Sequence, residues 1–173
     1  EGYLKLAQGV GASLAARGID VVYGGGSVGL MGAVADAALE AGGKVYGVIT
    51  EKLLDMELGH PSLTELVVTE TMGERKMKMA SLSDAFIGLP GGWGTLEEVF
   101  EVVTLTQLEY QRKAVGLLNA EGYYDHLIAF LDHAAKEGFI RPSHRGLISS
   151  APNLAELLDK LHTAELPGVS GLF

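Results

Sequence analysis

Short runs rich in β-branched residues alternate with longer runs of helical periodicity along this chain, and glycine or proline separates them. The pattern predicts five strands, within IDVVYGG, KVYGVIT, ELVVTE, DAFIGLP and KAVGLLN. It predicts helices over Tyr3–Arg17, Gly29–Ala41, Met72–Leu82, Gly94–Tyr110, Tyr123–Lys136 and Asn153–Leu161. Strands that alternate with helices in this way indicate βαβ units, in which the strands run parallel.

The predicted fold class is therefore α/β: a single-domain, Rossmann-like, doubly wound parallel sheet flanked by helices. The chain has 173 residues and 47% hydrophobic content, which suffices for one well-cored domain and not for two full-sized ones. We expect the domain at residues 1–164 and a tail at 165–173. Because the chain begins with Glu1 in the middle of the pattern, we also expect a leader or a first strand to be missing before it.

Charge and composition narrow the class of ligand and the compartment. Thirteen basic and 22 acidic residues give a net charge of −9, which disfavours nucleic-acid and anionic-membrane surfaces because both require clustered lysine and arginine. The chain contains no cysteine, which excludes disulfides and thiolate metal sites and fits a cytoplasmic location. No apolar run approaches the length of a membrane span.

Two glycine clusters follow predicted strands, at the sheet edge where parallel α/β proteins bind ligands. In the first, Gly24, Gly26 and Gly29 match the dinucleotide fingerprint G-x-G-x-x-G, and Glu51 stands about where a ribose-binding acid would follow. The match has low specificity in a chain with 24 glycines. Tight turns with close helix packing explain the same glycines, so both interpretations remain open.

The second cluster, LPGGWGTLEE from Leu89 to Glu98, changes the balance, because a dinucleotide needs only one pyrophosphate turn. Here Thr95 is a candidate N-cap, and Glu98 stands at the spacing of a capping box, which gives that carboxylate a purely structural explanation. No Lys-Ser or Lys-Thr follows the glycines, so the Walker pattern of ATP hydrolysis is absent. Two adjacent anion-binding loops predict one nucleoside monophosphate in a crevice lined by acids.

The same stretch resembles a known family. PGGWGTLEE, together with the preceding GERKMKMASLSDAFIGL and GGGSVGLMG, is similar to the LONELY GUY (LOG) family of cytokinin riboside 5′-monophosphate phosphoribohydrolases, long mislabelled as lysine decarboxylases. The family motif P-G-G-x-G-T-x-x-E is matched by Pro90, Gly91, Gly92, Gly94, Thr95 and Glu98. The resemblance runs from about Leu4 to Leu161 and so covers nearly the whole chain.

The resemblance implies cleavage of the N-glycosidic bond between an adenine-type base and ribose 5-phosphate, with water as acceptor and without a metal or redox cofactor. It places the catalytic residues at Arg75 and Glu98, and it implies a homodimer or a higher oligomer with the site near the subunit interface. The positions expected to contact substrate are Gly25, Gly26, Gly29, Glu57, Arg75, Lys76, Gly91, Gly92, Trp93, Gly94, Thr95, Leu96, Glu97, Glu98 and Thr104.

Two departures from the family pattern limit what the resemblance transfers. Members usually begin with a strand and a Cys-Gly-Ser-Ser type turn that helps bind phosphate, and this chain starts after that point. Gly73 stands where the family commonly has a histidine, so no role of that histidine is carried over.

Several further expectations come from the residues themselves. Glu98 and Glu101 share a helix face, whereas Glu97 points elsewhere. Trp93 covers a bound base or packs on a neighbouring subunit. The five histidines lack ligand spacing, and we expect surface or capping roles for most of them. We expect one apolar stripe on the helix that ends near Tyr110 to be available for dimerisation; it consists of Val99, Val102, Val103, Thr106 and Tyr110.

Two other functions compete with the hydrolase. The first is a carrier that binds a phosphorylated, pterin-like cofactor without turnover, since relatives of this fold do so. The second is a dinucleotide-dependent oxidoreductase that uses the first glycine loop, which the second loop disfavours.

Overall fold

The computed structural model describes residues 1–56 and 59–166. Backbone contacts divide the chain into two compact units, one of Glu1–Ser83 and one that begins at Asp84. Each unit has a three-stranded sheet whose strands are all parallel. The α/β fold class with parallel strands flanked by helices is thereby confirmed.

The sheet of the first unit has the order β1-β2-β3. Its elements are α1 (Gly2–Ala16), β1 (Val21–Tyr23), α2 (Gly29–Glu40), β2 (Val45–Thr50), α3 (Glu51–Asp55), β3 (Glu65–Thr69) and α4 (Met72–Leu82). The central strand β2 is almost entirely buried, which explains why its sequence is apolar without alternation. Helix α4 packs on all three strands.

Helices α1 and α2 pack closely because small residues line the contact. A Cβ atom at Gly11 of α1 would overlap the backbone carbonyl oxygen of Val34 in α2 and would lie 3.0 Å from the amide nitrogen of Ala38. Gly18 follows α1 with a positive φ of 67°, the backbone conformation in which glycine commonly ends a helix. Both glycines therefore have a structural role that follows from their missing side chain.

The sheet of the second unit has the order β4-β5-β6. Its elements are β4 (Ala85–Gly88), α5 (Trp93–Gln107), β5 (Ala114–Leu118), a 3-10 turn (Ala120–Gly122), α6 (Asp125–Lys136), α7 (Pro142–Arg145), β6 (Ile148–Ala151) and α8 (Leu154–His162). The buried core combines residues of α5, β5, α6 and β6 with one tyrosine; its members are Val99, Val102, Val115, Leu117, Tyr124, Leu131 and Ile148.

All six predicted helices and five predicted strands are present; α4 has the predicted bounds, and the ends of the other helices are shifted by up to three residues. The sixth strand, β6, is missing from the prediction because its sequence is only ISSA, in which two serines replace the usual β-branched run. The short helices α3 and α7 are also missed, since four or five residues give too little periodicity. Over the described ranges, no helix has both the length and the apolarity that crossing a bilayer requires.

The dimerisation stripe expected on α5 is wrong for most of its members. Val99, Val102 and Thr106 are buried within the second unit, and Val103 packs against the same core. Tyr110 is exposed, but it lies beyond the end of the helix. An apolar helix stripe covers the protein's own sheet first, and only surface left after that packing is available to a second subunit.

Two glycines of α1 give a matched test of the packing between α1 and α2. Gly9→Ala places a methyl group in open space and should raise the free energy of unfolding by up to about 1 kcal/mol, because alanine is the better helix former. Gly11→Ala should lower it by roughly 1–3 kcal/mol, because the methyl group forces the helices apart. Chemical denaturation measures both, and a shift of the same sign in the two variants would contradict the packing.

Candidate functional site

The guanidinium of Arg75 is buried at the sheet of the first unit. Its side chain enters from α4, whose N-cap Thr71 accepts a hydrogen bond from the Glu74 amide, and the residue is only 7% exposed. Nε of Arg75 donates to the carbonyl oxygen of Val48 at 2.9 Å, and Nη2 donates to that of Gly24 at 3.4 Å. These bonds hold the cation beside the carboxyl ends of β1 and β2, the edge where parallel α/β sheets bind ligands.

Glycine is required at position 24 because the arginine lies against the backbone there. A Cβ atom at Gly24 would overlap Nη2 of Arg75. Gly25 has a positive φ of 75°, and its position faces the side chains of Leu66 and Ile49. The first two glycines of the loop therefore admit the guanidinium and turn the chain over the sheet.

Three successive carbonyl oxygens of this first loop accept hydrogen bonds from the protein. The carbonyl oxygen of Gly24 accepts a hydrogen bond from Arg75 Nη2, and the carbonyl oxygen of Gly25 accepts one from the amide of His60 at 2.9 Å. The carbonyl oxygen of Gly26 accepts a hydrogen bond from the hydroxyl of Tyr23 at 2.9 Å. Burial, and secondarily the charge of Asp36, raises the pKa of Tyr23, so this hydroxyl keeps the proton that it donates. The loop's acceptors are thus occupied from within the first unit.

The loop then leads into α2, which begins at Gly29 with a positive φ of 67°. The opening amides of a helix have no intrahelical acceptor and carry the positive end of the helix dipole. Glu51, the candidate ribose-binding acid of the dinucleotide interpretation, is exposed at the start of α3.

His60 is an exception to the surface roles expected for the histidines. It is 6% exposed, and its Nε2 lies 2.9 Å from Oδ1 of Asp36. The amide of Ser62 donates to Nδ1 at 3.2 Å, so Nδ1 is the acceptor and Nε2 carries the proton. With the backbone bridge between Gly26 and Gly59, the histidine fastens the 59–62 segment to the first loop.

The second loop follows β4 and is held by two tyrosines. The hydroxyl of Tyr123 donates to the carbonyl oxygen of Gly91 at 2.8 Å, and the hydroxyl of Tyr124 donates to that of Leu89. The two rings meet edge to face with centroids 4.9 Å apart. Burial, and secondarily Tyr123, raises the pKa of Tyr124 to about 12, which keeps its hydroxyl a donor.

Helix α5 begins earlier than the sequence pattern predicts. Its N-cap is Gly92, the first helical residue is Trp93, and the amide of Leu96 donates to the Gly92 carbonyl at 3.1 Å. The prediction of Thr95 as N-cap is therefore wrong: Thr95 is the third helical residue, and its side chain lies against the Cα of Gly91. Glu98 is then the sixth helical residue, too far along for a capping box, so that explanation of its carboxylate is wrong too.

The predicted substrate positions on α5 differ in exposure. Glu98 and Glu101 are half-buried and Glu97 is exposed, as their spacing predicts. Trp93 is 88% exposed. The hydroxyl of the exposed Thr104 donates to the carbonyl of Phe100 at 2.8 Å, whereas Leu96 packs against the hydrophobic core.

The remaining predicted positions are distributed over both units. Lys76 follows Arg75 on α4 and is half-buried. Gly91 and Gly92 lie in the second loop, and Gly94 lies in the first turn of α5 with open space beside its Cα. Glu57 lies outside the described residues. Within residues 1–56 and 59–166, no three His, Asp or Glu side chains are grouped as metal ligands would be.

Sequence reasoning missed the residues that hold the loops. The sequence alone assigns no role at the loops to Tyr123, Tyr124, Tyr23 or His60. The signal available was weak: two adjacent tyrosines follow Gly122, and a tyrosine directly precedes the first glycine cluster. Which carbonyl oxygen a tyrosine hydroxyl bonds depends on the tertiary structure, because the bonded residues are 32 and 35 positions apart in sequence.

Comparison with known proteins decides the family. A family model described as "Possible lysine decarboxylase" matches residues 31–161. The chain is 51% identical to a probable cytokinin riboside 5′-monophosphate phosphoribohydrolase of rice (Oryza sativa subsp. japonica), over 92% of this chain and 75% of the relative. The chain belongs to the LOG family. Another member, a cytokinin riboside 5′-monophosphate phosphoribohydrolase of Arabidopsis thaliana, is 48% identical over 93% of this chain and 71% of its own.

A protein whose name gives a different role has a solved structure with a similar fold. The molybdenum cofactor binding protein from the phototrophic bacterium Rippkaea orientalis is similar with a TM-score of 0.66 and 26% identity, covering 93% of this chain and 88% of that one. A shared fold does not by itself carry a shared function, which depends on the site.

The tautomer of His60 is directly testable. Long-range nitrogen–proton NMR correlations should show the proton of the His60 ring on Nε2 and an unprotonated, hydrogen-bonded Nδ1. Asp36→Asn should weaken this preference, whereas Asp159→Asn, on helix α8 of the second unit, should leave it unchanged. A His60 ring protonated on Nδ1 would contradict the contact with Ser62.

The raised pKa of Tyr124 predicts an alkaline loss of stability. Because the folded state prefers the neutral phenol, this residue's stabilising contribution is complete below pH 10 and disappears between pH 10 and about 12. Over that interval, the free energy of unfolding should fall by up to about 3 kcal/mol more in the wild type than in Tyr124→Phe. Chemical denaturation across the interval measures it, with Tyr110→Phe as an exposed control that behaves as the wild type; equal slopes in all three would refute the assignment.

Proposed function

We propose that this protein hydrolyses the N-glycosidic bond of cytokinin riboside 5′-monophosphates, and of AMP, to the free base and ribose 5-phosphate. The observation that carries the proposal is identity of about half of all positions with relatives that bear this enzyme name, over more than 90% of the chain. The motif P-G-G-x-G-T-x-x-E, complete in this sequence, lies at the start of α5.

Glu98 is the proposed catalytic carboxylate. The glycosidic C–N bond breaks through an oxocarbenium-like ribose, while water supplies the new C–O bond and the departing base takes up a proton. A carboxylate beside the ribose stabilises the positive charge or accepts the proton of the attacking water. The start of α5 at Trp93 supports this role, because it removes the competing explanation of Glu98 as part of a capping box.

Arg75 is the proposed cationic partner in the reaction. Its guanidinium is held by Nε and Nη2 on backbone carbonyls, which fixes the plane of the fork before any substrate arrives. A preorganised guanidinium binds phosphate or stabilises a developing negative charge better than a flexible ammonium group does. Its contact is with the phosphate, the ribose or the base, and the variants below distinguish these roles.

The substrate contacts extend over the remaining family positions in this proposal. Gly25, Gly26 and Gly29 and the Gly91–Thr95 stretch are proposed substrate contacts, because glycine-flanked amides at helix starts bind phosphates. Glu57, Lys76 and Thr104 are proposed contacts carried over from the family. The protein acts without a redox cofactor or metal, as a cytoplasmic homodimer or higher oligomer.

A second candidate is a carrier for a phosphorylated, pterin-like cofactor. The similarity in fold to the molybdenum cofactor binding protein of Rippkaea orientalis favours it. Its identity to this chain, 26%, is about half that of the relatives named as hydrolases, so the hydrolase ranks first. Stoichiometric binding of such a cofactor, without release of base from any nucleotide, would reverse this order.

The test is release of free base from isopentenyladenosine 5′-monophosphate and AMP by the purified chain. Glu98→Gln should lower kcat by about 10²- to 10⁴-fold with a modest change in KM, since it removes a group that acts in the transition state. Arg75→Lys keeps the charge and loses the fork. It should raise KM if the guanidinium binds the phosphate, and lower kcat if it acts on the ribose or the leaving base.

Matched controls separate chemistry from folding. Glu137→Gln and Arg17→Lys change the same residue types at exposed helix ends and should retain wild-type kinetics. Circular dichroism should show the same helix content in all variants. Failure of the wild type to release base, or wild-type rates in Glu98→Gln and Arg75→Lys, would refute the proposed function.

A further inference from the structure

The second glycine loop has its carbonyl oxygens occupied by side chains from the adjoining segment after β5. The hydroxyl of Tyr124 donates a hydrogen bond to the carbonyl oxygen of Leu89, and the hydroxyl of Tyr123 donates one to the carbonyl oxygen of Gly91. The next carbonyl, that of Gly92, accepts the Leu96 amide in the first turn of α5. Three of the four carbonyls from Leu89 to Gly92 are thus turned onto protein donors within the second unit.

This arrangement fixes which side of the loop can meet a ligand. The peptide between Gly91 and Gly92 is trans, so its N–H points opposite to its C=O. Holding the Gly91 carbonyl on Tyr123 therefore aims the Gly92 amide away from the tyrosine. The peptide between Leu89 and Pro90 has no N–H, and its carbonyl is held by Tyr124. The Gly92 amide thus faces the side of the loop away from Tyr123, where a backbone donor suits an anion.

The tyrosines are themselves held in place. Tyr124 is 2% exposed, and its amide donates to Oδ1 of Asn119, the residue after β5, at 2.7 Å. Nδ2 of the same asparagine donates to Oδ1 of Asp125 at 2.8 Å, at the start of α6. Between them the chain turns through positive φ at Glu121 and Gly122. A strained turn that is held by these hydrogen bonds fixes the direction of the side chains that follow it.

We propose that Tyr123 and Tyr124 are positioning residues that set the Pro90–Gly92 loop to receive the 5′-phosphate of the substrate. The inference rests on the proposed hydrolase function and adds to it the residues that orient the phosphate-binding amides. Neither tyrosine touches the reacting atoms. Their effect is on the binding of the phosphate, and the step that breaks the glycosidic bond is untouched.

Removing one hydroxyl at a time tests this role. Tyr123→Phe should raise both the KM for isopentenyladenosine 5′-monophosphate and the Kd for ribose 5-phosphate about fivefold to tenfold, with kcat within about twofold of the wild type. Tyr124→Phe should act in the same direction. Steady-state kinetics and calorimetric titration with ribose 5-phosphate measure these values, and Tyr110→Phe, an exposed tyrosine of the same unit, should change none of them.

Binding of ribose 5-phosphate separates the two hypotheses. If the wild type binds ribose 5-phosphate and releases no base, the hydrolase fails, while a weaker Kd in Tyr123→Phe still supports the positioning role. If the wild type releases base and both tyrosine variants keep its Kd and KM, the positioning role is refuted. It is equally refuted if the variants lower kcat and melting temperature together at an unchanged Kd, because that result indicates only lost stability.

Discussion

Burial of a permanent positive charge is the constraint on which the first unit depends. A guanidinium removed from water must keep hydrogen-bond acceptors, and Arg75 finds them on the carbonyls of Val48 and Gly24. The arginine can approach only because residue 24 has no side chain. Gly24 directly follows strand β1, Arg75 completes the first turn of α4, and β2 supplies the Val48 carbonyl. Three separate elements therefore determine where this one side chain lies.

The same principle recurs in the second unit with neutral donors. There, the donors are the hydroxyl groups of two adjacent tyrosines instead of a guanidinium, and the acceptors are the carbonyl oxygens of Leu89 and Gly91. In both units, a glycine-rich turn after a parallel strand has its acceptors bonded to the protein and its amides near a helix start. Glycine permits such turns, but polar side chains from elsewhere in the unit fix which way the peptide groups face.

The fold was largely predictable because it follows from periodicity. The buried strand β2 and helix α4, which is correct to the residue at Met72–Leu82, stand out in the sequence. Strand β6 does not, because Ile148 is its only β-branched residue and its two serines belong equally well to a turn. Tertiary pairing with β5 decides its conformation, and a local pattern cannot reveal that.

The sequence suggested residue types for the candidate site, but it did not reveal which side chains hydrogen-bond the loops or where α5 begins. Arg75 and the glycine loops were identified from motifs, whereas the buried ring of His60 contacts Asp36, which is 24 positions away in sequence. The predicted start of α5 was wrong because Thr95 is a residue type that commonly caps helices, whereas the actual N-cap, Gly92, has no side chain that could indicate a cap.

That misplacement changes the meaning of Glu98. With the helix beginning at Trp93, the N-cap amide lies more than a turn away from position 98, so a capping box does not explain a glutamate at this position. A half-buried carboxylate on the second turn is costly to desolvate, and helix propensity alone would be met equally by glutamine. The helix start thus removes the capping-box explanation of Glu98, and stabilising the positive charge on the ribose during the proposed hydrolysis is the role that we propose for its carboxylate.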